Sequence, residues 1–182
     1  MPRFIALLRG VNVGRGNRVP MAEFQGLLEA LGYGDVHTLL NSGNAVFTAG
    51  AGASGTHADR IRSKLSTRLK VDVLVIVKSA KELAAIEAGN ALASTASDAS
   101  RLLVAFAPDA QALAGLAPVA SLVKPPEKMH FGKHAAYLWC PNGILQSKAG
   151  AALLGKQGRA ATTRNWATVQ KISALLSDVA SR

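Results

Sequence analysis

The sequence predicts an α/β (α+β) fold made of two similar halves in tandem. The chain has 182 residues, of which 49% are hydrophobic, enough to form buried cores. Short apolar runs typical of strands alternate with segments of helical periodicity, and this alternation occurs twice along the chain. We therefore expect a globular chain in which each half carries its own sheet.

The first half begins with a strand predicted at residues 3–9, which ends in a loop rich in Gly, Arg and Asn. A helix follows from Pro20, because Pro suits a first helical position and the next apolar residues recur at helical spacing. The remaining elements are a hairpin, a helix and a strand, predicted at residues 36–40, 45–48, 57–69 and 71–77. The order β-α-β-β-α-β is the ferredoxin-like split pattern.

The second half repeats this order more loosely, and the halves share no visible sequence identity. Its predicted elements are a linking helix, three strands and three further helices, at residues 81–88, 102–107, 109–116, 128–131, 135–140, 148–154 and 164–179. The sequence thus predicts two ferredoxin-like subdomains of the β-α-β-β-α type. The first covers residues 1–90 with the linking helix, and the second covers residues 91–182 with the long terminal helix.

The chain is strongly basic, with 21 Lys and Arg against 11 Asp and Glu and a net charge of +10. This excess favours anionic partners, whether nucleic acid, acidic lipid or a phosphorylated metabolite, without choosing among them. The excess is spread along the chain, with +4 in residues 1–91 (11 basic, 7 acidic) and +6 in residues 92–182 (10 basic, 4 acidic). It therefore fits equally well a protein that uses charge for solubility.

A cytoplasmic protein that does not enter a membrane is expected. The single cysteine, Cys140, excludes an internal disulfide framework, and its position at a strand end favours an inert buried thiol. No apolar run approaches the ~20 residues of a membrane helix, and residues 4–8 are too few for a signal-peptide core. His130 and His134 flank a turn without a third ligand, so no metal site is expected.

Three short blocks carry the most distinctive residues of the chain. They are Leu-Arg-Gly-Val-Asn-Val-Gly at 8–14 with Val-Pro-Met at 19–21, Asn-Ser-Gly-Asn at 41–44, and Thr-Arg-Asn-Trp-Ala-Thr-Val at 163–169 with Lys171. In order and spacing these blocks resemble the hallmarks of the bacterial family called domain of unknown function 1697, over essentially the whole chain. The resemblance implies a two-subdomain α/β fold of the ferredoxin-like kind and no established activity. Where many relatives have Asn-Pro-Phe after the linking helix, this chain has Asn90-Ala91-Leu92.

The first block has two interpretations. Its glycines allow backbone conformations with positive φ, and successive amides in such a loop form an anion-binding concavity. Against this, Glu23 in the first turn of the next helix repels an anion, and the loop fits neither the phosphate-loop nor the dinucleotide pattern. The block is either a tight strand-to-helix connection or an anion-facing loop that uses four polar side chains: Arg9, Asn12, Arg15 and Arg18.

The second block is most simply a hairpin turn, because Asn and Gly tolerate left-handed conformations. The alternative is that Asn41 and Asn44 present their amides to a ligand beside the first loop. In the third block, Thr163 suits the N-cap of the last helix. Arg164 would then occupy a first helical position, where a cation opposes the helix dipole unless an anion or a carboxylate lies nearby.

The start of this helix is therefore a candidate for holding a phosphate or carboxylate, with Thr162, Thr163, Arg164 and Asn165. The alternative is that Arg164 pairs with a surface acid. From these features we expect a binding protein for an anionic ligand, either nucleic acid or a nucleotide-like molecule. The ligand would contact the N-terminal loop and the start of the last helix. The alternative is an enzyme acting on a phosphorylated or carboxylated small metabolite. The sequence identifies no catalytic residue and no cofactor, and it leaves the oligomeric state open.

Overall fold

The computed structural model describes residues 1–181. The fold is of the mixed α/β class, with two four-stranded antiparallel sheets and, within the described residues, six α-helices. The chain divides into two compact units. The first unit is Met1–Lys81 together with the segment that begins at Ile172, and the second unit is Glu82–Lys171.

The first unit contains a sheet with the strand order β2-β3-β1-β4, in which every neighbouring pair is antiparallel. Its elements are β1 (Arg3–Leu8), α1 (Met21–Ala30), β2 (Gly34–Leu39), β3 (Asn44–Thr48), α2 (Ser54–Leu69) and β4 (Val75–Ser79). Five of the six residues of β1 are buried. Buried backbone N–H and C=O groups need hydrogen-bond partners, and a strand between two others supplies partners for both of its edges.

The core of the first unit lies between one face of the sheet and helices α1 and α2. Alternate residues of β1, beginning with Phe4, point into this core, as the two-residue period of a strand requires. Helix α1 contributes Phe24, Leu27 and Leu28, which lie on one side of the helix at spacings of three and four residues. The loop between β1 and α1 therefore begins and ends at elements that are anchored in a core.

The second unit contains a sheet with the strand order β6-β7-β5-β8, again fully antiparallel. The elements from the linking helix onward are α3 (Ala80–Ala88), β5 (Leu102–Phe106), α4 (Ala110–Ala114), β6 (Lys128–Phe131), β7 (Ala135–Trp139), α5 (Lys148–Leu154), β8 (Thr162–Asn165) and α6 (Trp166–Ala180). The core combines β5 and β7 with Leu113 and Leu116 near α4 and Leu153 of α5. Small alanines at alternate strand positions allow the short helices to lie close to the sheet.

The predicted final helix at residues 164–179 is wrong at its beginning. Residues 162–165 form strand β8, which pairs with β5 from Thr162 opposite Phe106 to Asn165 opposite Leu103. The helix α6 starts at Trp166. Two smaller differences are that β4 begins at Val75, four residues later than predicted, and that Pro20 is the N-cap of α1 and not its first helical residue. No helix in residues 1–181 is long and apolar enough to cross a membrane.

Candidate functional site

The loop between β1 and α1 has a fixed backbone. Gly10 and Gly14 have φ values of +62° and +57°, which glycine adopts without steric cost. Asn12 is also left-handed, with φ +57°, a conformation that Asn tolerates better than most residues. The Asn12 amide donates to the Asn17 carbonyl at 2.8 Å, and the Gly16 amide donates to the Val13 carbonyl at 3.2 Å. These hydrogen bonds close the loop upon itself.

The side chain of Asn12 joins the first two sequence blocks. Its Oδ1 accepts from the Val19 amide at 2.9 Å, and its Nδ2 donates to the Val19 carbonyl at 2.8 Å. The same Nδ2 donates to the Asn41 carbonyl at 2.8 Å and lies 3.3 Å from Asn41 Oδ1. The hydrogen-bonding groups of the Asn12 side chain therefore connect the two ends of its own loop and join this loop to the hairpin turn. It is built into the scaffold rather than aimed at solvent.

The turn that forms the second block is packed against the end of β1. The Gly43 carbonyl accepts from the Leu8 amide at 2.9 Å. A Cβ atom at Gly43, where φ is +81°, would lie 2.7 Å from Leu8 Cβ and 2.8 Å from Val11 Cγ2. Asn44 is fully buried, and its Nδ2 donates to the Leu39 carbonyl and to Ser42 Oγ, both at 2.9 Å. Asn44 thus stabilises the turn from inside the protein.

The three arginines of the loop differ in exposure. Arg9 is half-buried, its amide donates to the Leu74 carbonyl at 3.0 Å, and burial lowers the pKa of its guanidinium. Arg15 and Arg18 are exposed at the far end of the loop. Arg18 Nη2 donates to the Gly14 carbonyl at 2.7 Å, which orients its guanidinium over the loop. Arg15 and Arg18 are therefore the cations of this loop that are most accessible to a ligand in solution.

Two exposed apolar side chains accompany these cations. Val13, next to Asn12, is 66% exposed, and Leu40, next to Asn41, is 49% exposed. Leu40 also has a φ of +56°, a conformation that costs a non-glycine residue about 1 kcal/mol or more. We name these exposed residues of the two joined loops the double-loop surface: Val13, Arg15, Arg18, Leu40 and Asn41. The surface combines positive charge with apolar contact area on a fixed backbone.

The third block lies in the second unit and does not have the predicted geometry. Arg164 is on strand β8, not at a helix start, and only 8% of it is exposed. Its Nη1 donates to Thr162 Oγ1 at 3.0 Å and to the Thr163 carbonyl at 2.8 Å. Burial lowers the pKa of Arg164 to about 10. The expected surface cation at the first helical position is thus a buried strand residue.

The N-cap of α6 is also two residues later than predicted, at Asn165 and not at Thr163. Asn165 Oδ1 accepts from the Thr168 amide at 2.9 Å, which is the hydrogen bond of an N-cap residue three positions before the donor. Thr163, the predicted cap, is a half-buried residue of β8. The side-chain oxygen of Asn165 is therefore occupied by the helix that it caps.

A buried aromatic group in the first unit escaped the sequence analysis. We name it the His57 cluster, and it consists of Phe4, Tyr33, Phe47 and His57, each 6% exposed or less. The Tyr33 hydroxyl is 2.9 Å from His57 Nδ1, and the His57 ring centroid is 4.6 Å from that of Phe4. Burial, together with the positive charge of Arg60, lowers the pKa of His57, and a backbone group of Gly50 opposes this shift in part. Nothing in the local pattern around position 57 indicated this burial.

The two histidines considered as metal ligands are placed separately. The His130 ring stacks on Tyr137 with centroids 6.0 Å apart, and His134 is exposed. Residues 1–181 contain no group of three or more His, Cys, Asp or Glu side chains that could hold a metal ion. Cys140 is fully buried, and burial raises the pKa of its thiol.

The fold and this site define a class: mixed α/β proteins of two antiparallel sheets whose first unit joins a cationic N-terminal loop to a hairpin turn. The chain belongs to the family described as protein of unknown function, DUF1697, whose sequence profile matches residues 1–137. This match confirms the family resemblance drawn from the sequence blocks. It includes the first two blocks and ends before the third.

The chain is also similar to a solved structure, described as the conserved bacterial protein SP0830 from Streptococcus pneumoniae. The two share 26% sequence identity and superpose with a TM-score of 0.78, over 96% of this chain and 98% of that chain. A comparison with curated proteins finds no match. The similarity thus extends over both units.

Proposed function

We propose that this protein binds an anionic ligand, nucleic acid or a nucleotide-like molecule, through the double-loop surface of its first unit. The observation that carries the proposal is the combination of exposed Arg15 and Arg18 with a backbone that the Asn12 side chain holds in place. A loop that is already ordered loses little conformational entropy when a ligand binds. Arginine is also the residue best suited to phosphate, because its planar guanidinium donates several hydrogen bonds.

The apolar part of the surface favours ligands that are more than a bare anion. Val13 and Leu40, which follow Asn12 and precede Asn41 in the chain, expose large fractions of their side chains. A nucleotide presents a phosphate and a base with a wide apolar face, so its two parts match the two kinds of side chain. We therefore favour a nucleic acid or nucleotide over a simple inorganic ion.

The start of the last helix is not included in the proposed ligand-binding surface. Arg164 is buried within the sheet of the second unit, and the Asn165 side chain caps α6. Asn12 and Asn44 likewise act as structural supports, because their side-chain amides bond to backbone groups. These roles favour a binding protein with a rigid scaffold over an enzyme that uses the same amides on a substrate.

The proposal is tested with fluorescently labelled single-stranded DNA and RNA at 50 and 200 mM salt. The double variant Arg15→Gln/Arg18→Gln is compared with Arg68→Gln/Lys81→Gln, which removes two exposed cations elsewhere in the first unit. We expect the loop variant to weaken binding at least tenfold at 50 mM salt. It should also reduce the slope of log K against log salt by about 1.4, since each of two lost phosphate contacts on a single strand contributes ~0.7. The control should change affinity less than twofold.

Two results would remove the proposal. One is wild-type binding that is undetectable or insensitive to salt. The other is an equal loss in the loop variant and in the control, because net charge alone would then account for binding. Thermal unfolding of both variants, followed by circular dichroism, checks that each remains folded.

We also propose that each unit is a ferredoxin-like subdomain. The strand order β2-β3-β1-β4 of the first unit and β6-β7-β5-β8 of the second support this, as does a helix after the first and third strands of each sheet. The proposal would be overturned by an experimental structure in which either sheet has a different strand order.

A further inference from the structure

The second unit contains a cleft that the sequence analysis did not anticipate. It lies between the end of α4 and the 3₁₀ turn Lys156–Gly158, and its volume is about 370 Å³. This is within the usual range of small-molecule sites, roughly 300 to 1,000 Å³. The polar side chains that line it are Lys156, Gln157 and Arg159, and the apolar ones include Ala112, Leu116 and Ala160.

The two cations of the cleft are placed on the same side by the geometry of the turn. Lys156 begins the 3₁₀ turn and Arg159 is its C-cap, whose amide donates to the Lys156 carbonyl at 3.3 Å. Side chains three residues apart eclipse each other in 3₁₀ geometry. Both are exposed, and both line the cleft. Two like charges held side by side repel each other, so an anion placed between them relieves this repulsion.

The turn that carries these cations is held firmly against α5. The Gly158 amide donates to the Gly155 carbonyl at 3.2 Å, and the Ala161 amide donates to the Gly158 carbonyl at 2.9 Å. A Cβ atom at Gly158 would lie only 1.8 Å from the Leu153 carbonyl oxygen. Only glycine fits there, which means that the turn and α5 pack backbone to backbone.

The surrounding sequence supplies no carboxylate to neutralise the cleft. Between Lys128 and Ser177 there are seven basic residues and no Asp or Glu. The acid at the start of α4, Asp109, accepts from the Ala112 amide at 2.8 Å and so caps the opposite end of that helix from Gly115 and Leu116. Helix α4 has only five residues, so its partial negative end cannot balance two full charges.

We propose that this α4–turn cleft is a binding site for a phosphorylated small molecule with an apolar portion. A phosphate monoester carries close to two negative charges at neutral pH, which matches Lys156 and Arg159 together. A carboxylate carries one and leaves a cation uncompensated. Gln157 adds an amide that donates or accepts hydrogen bonds, and the apolar lining accommodates the rest of the ligand.

The test titrates the whole protein, labelled with ¹⁵N, with phenyl phosphate, benzoate and inorganic phosphate, and follows amide NMR signals. We expect saturable shifts at Gly115 and residues 156–160 for phenyl phosphate, with an affinity at least fivefold higher than for benzoate. Benzoate keeps the ring and changes only the anion. Inorganic phosphate should bind more weakly than phenyl phosphate, because it lacks the apolar part.

The variant Lys156→Gln/Arg159→Gln should bind phenyl phosphate at least tenfold more weakly. Its matched control, Lys128→Gln/Lys148→Gln, removes two other exposed cations of the same unit and should change affinity less than twofold. The Arg15→Gln/Arg18→Gln variant should bind phenyl phosphate like the wild type, which separates this site from the double-loop surface. The proposal is overturned if the wild type shows no saturable shifts at the cleft, if benzoate binds as tightly, or if both double variants of the second unit lose affinity equally.

Discussion

Two regions of the molecule each present two exposed cations: the double-loop surface of the first unit and the 3₁₀ turn of the cleft in the second unit. The backbones of these two regions are fixed by opposite means. Asn12 fixes the loop by adding polar atoms that bond to Val19 and Asn41. Gly158 fixes the turn by having no side chain at all, which lets the backbone approach Leu153. The loop should therefore be disrupted by deleting side-chain atoms, and the turn by adding a single side-chain atom.

The largest effect is expected from Gly158→Ala. The added Cβ would lie 1.8 Å from a backbone oxygen, so α5 or the turn must move. We expect a loss of at least ~3 kcal/mol in the free energy of unfolding, the upper range for overpacking. Trp139 and Trp166 both belong to the second unit, so urea unfolding followed by tryptophan fluorescence reports on that unit.

The control for this variant is Gly26→Ala in α1, where no atom lies within 4 Å of the new Cβ. It should stabilise the protein by about 0.5–1 kcal/mol, because alanine is the better helix residue. A Gly158→Ala variant as stable as the wild type would show that the turn is not locked as described.

A smaller effect is expected from Asn12→Ala, which deletes the side chain that joins the two loops. Several hydrogen bonds of about 0.5–1.5 kcal/mol each are lost, and alanine is less tolerant of a φ of +57°. We expect a loss of about 2–3 kcal/mol, measured by urea unfolding with far-ultraviolet circular dichroism. If the units unfold separately, the tryptophan transition will stay in place while the dichroism transition shifts.

Asn17→Ala is the matched control for the same loop. The Asn17 side chain is exposed, and only its backbone carbonyl accepts from the Asn12 amide, a contact that alanine keeps. It should change the free energy of unfolding by less than about 0.5 kcal/mol, as is usual for surface positions. Equal effects of the two substitutions would contradict the role given to Asn12.

The smallest expected effect is a pH dependence that originates in the His57 cluster. The pKa of His57 is lowered in the folded state, so the unfolded state takes up its proton first as the pH falls through its ordinary value near 6.5. Stability should therefore be complete above that pH and decrease below it, by at most ~1.4 kcal/mol per pH unit. The other polar groups that act on the ring are the Tyr33 hydroxyl, the Arg60 guanidinium and a backbone group of Gly50.

Urea midpoints measured from pH 7.5 to 5.0 test this dependence. His57→Gln should reduce the decrease below pH 6.5, whereas His134→Gln, at an exposed position, should leave it unchanged. A wild-type stability that stays constant from pH 7.5 to 5.0, or a decrease that His57→Gln leaves in full, would contradict the assignment. The acid-sensitive transition should also be seen by circular dichroism, since the cluster belongs to the first unit.

Local patterns were sufficient for most of the elements. Helix α5 coincides with its predicted bounds, and β6 does as well, because each is framed by strong turn signals. The strand β8 could not be predicted, because Thr163 is a good helix cap and four polar residues show no strand alternation. What makes them a strand is pairing with β5, about sixty positions earlier in the chain, and no local signal carries that information.

In the candidate sites too, local residue types predicted some features, whereas others depend on packing between distant parts of the chain. Residue types predicted that the second block forms a turn, and the left-handed Gly43 agrees with that expectation. Which asparagines face inward depends on packing: Asn44 is buried, while Asn41 is exposed. The burial of Arg164 contradicts the average preference of arginine for the surface, so composition gave no warning of it.

Helix α6 has a consequence for the order in which the chain folds. The guanidinium of Arg3 donates to the Leu176 carbonyl at 2.5 Å, so a side chain of β1 bonds to a residue 173 positions later in the chain. Domains usually fold as they leave the ribosome, starting with the N-terminal one. Here the second unit is inserted between the two segments of the first, so the first unit lacks the bond from Arg3 until residue 176 has been made.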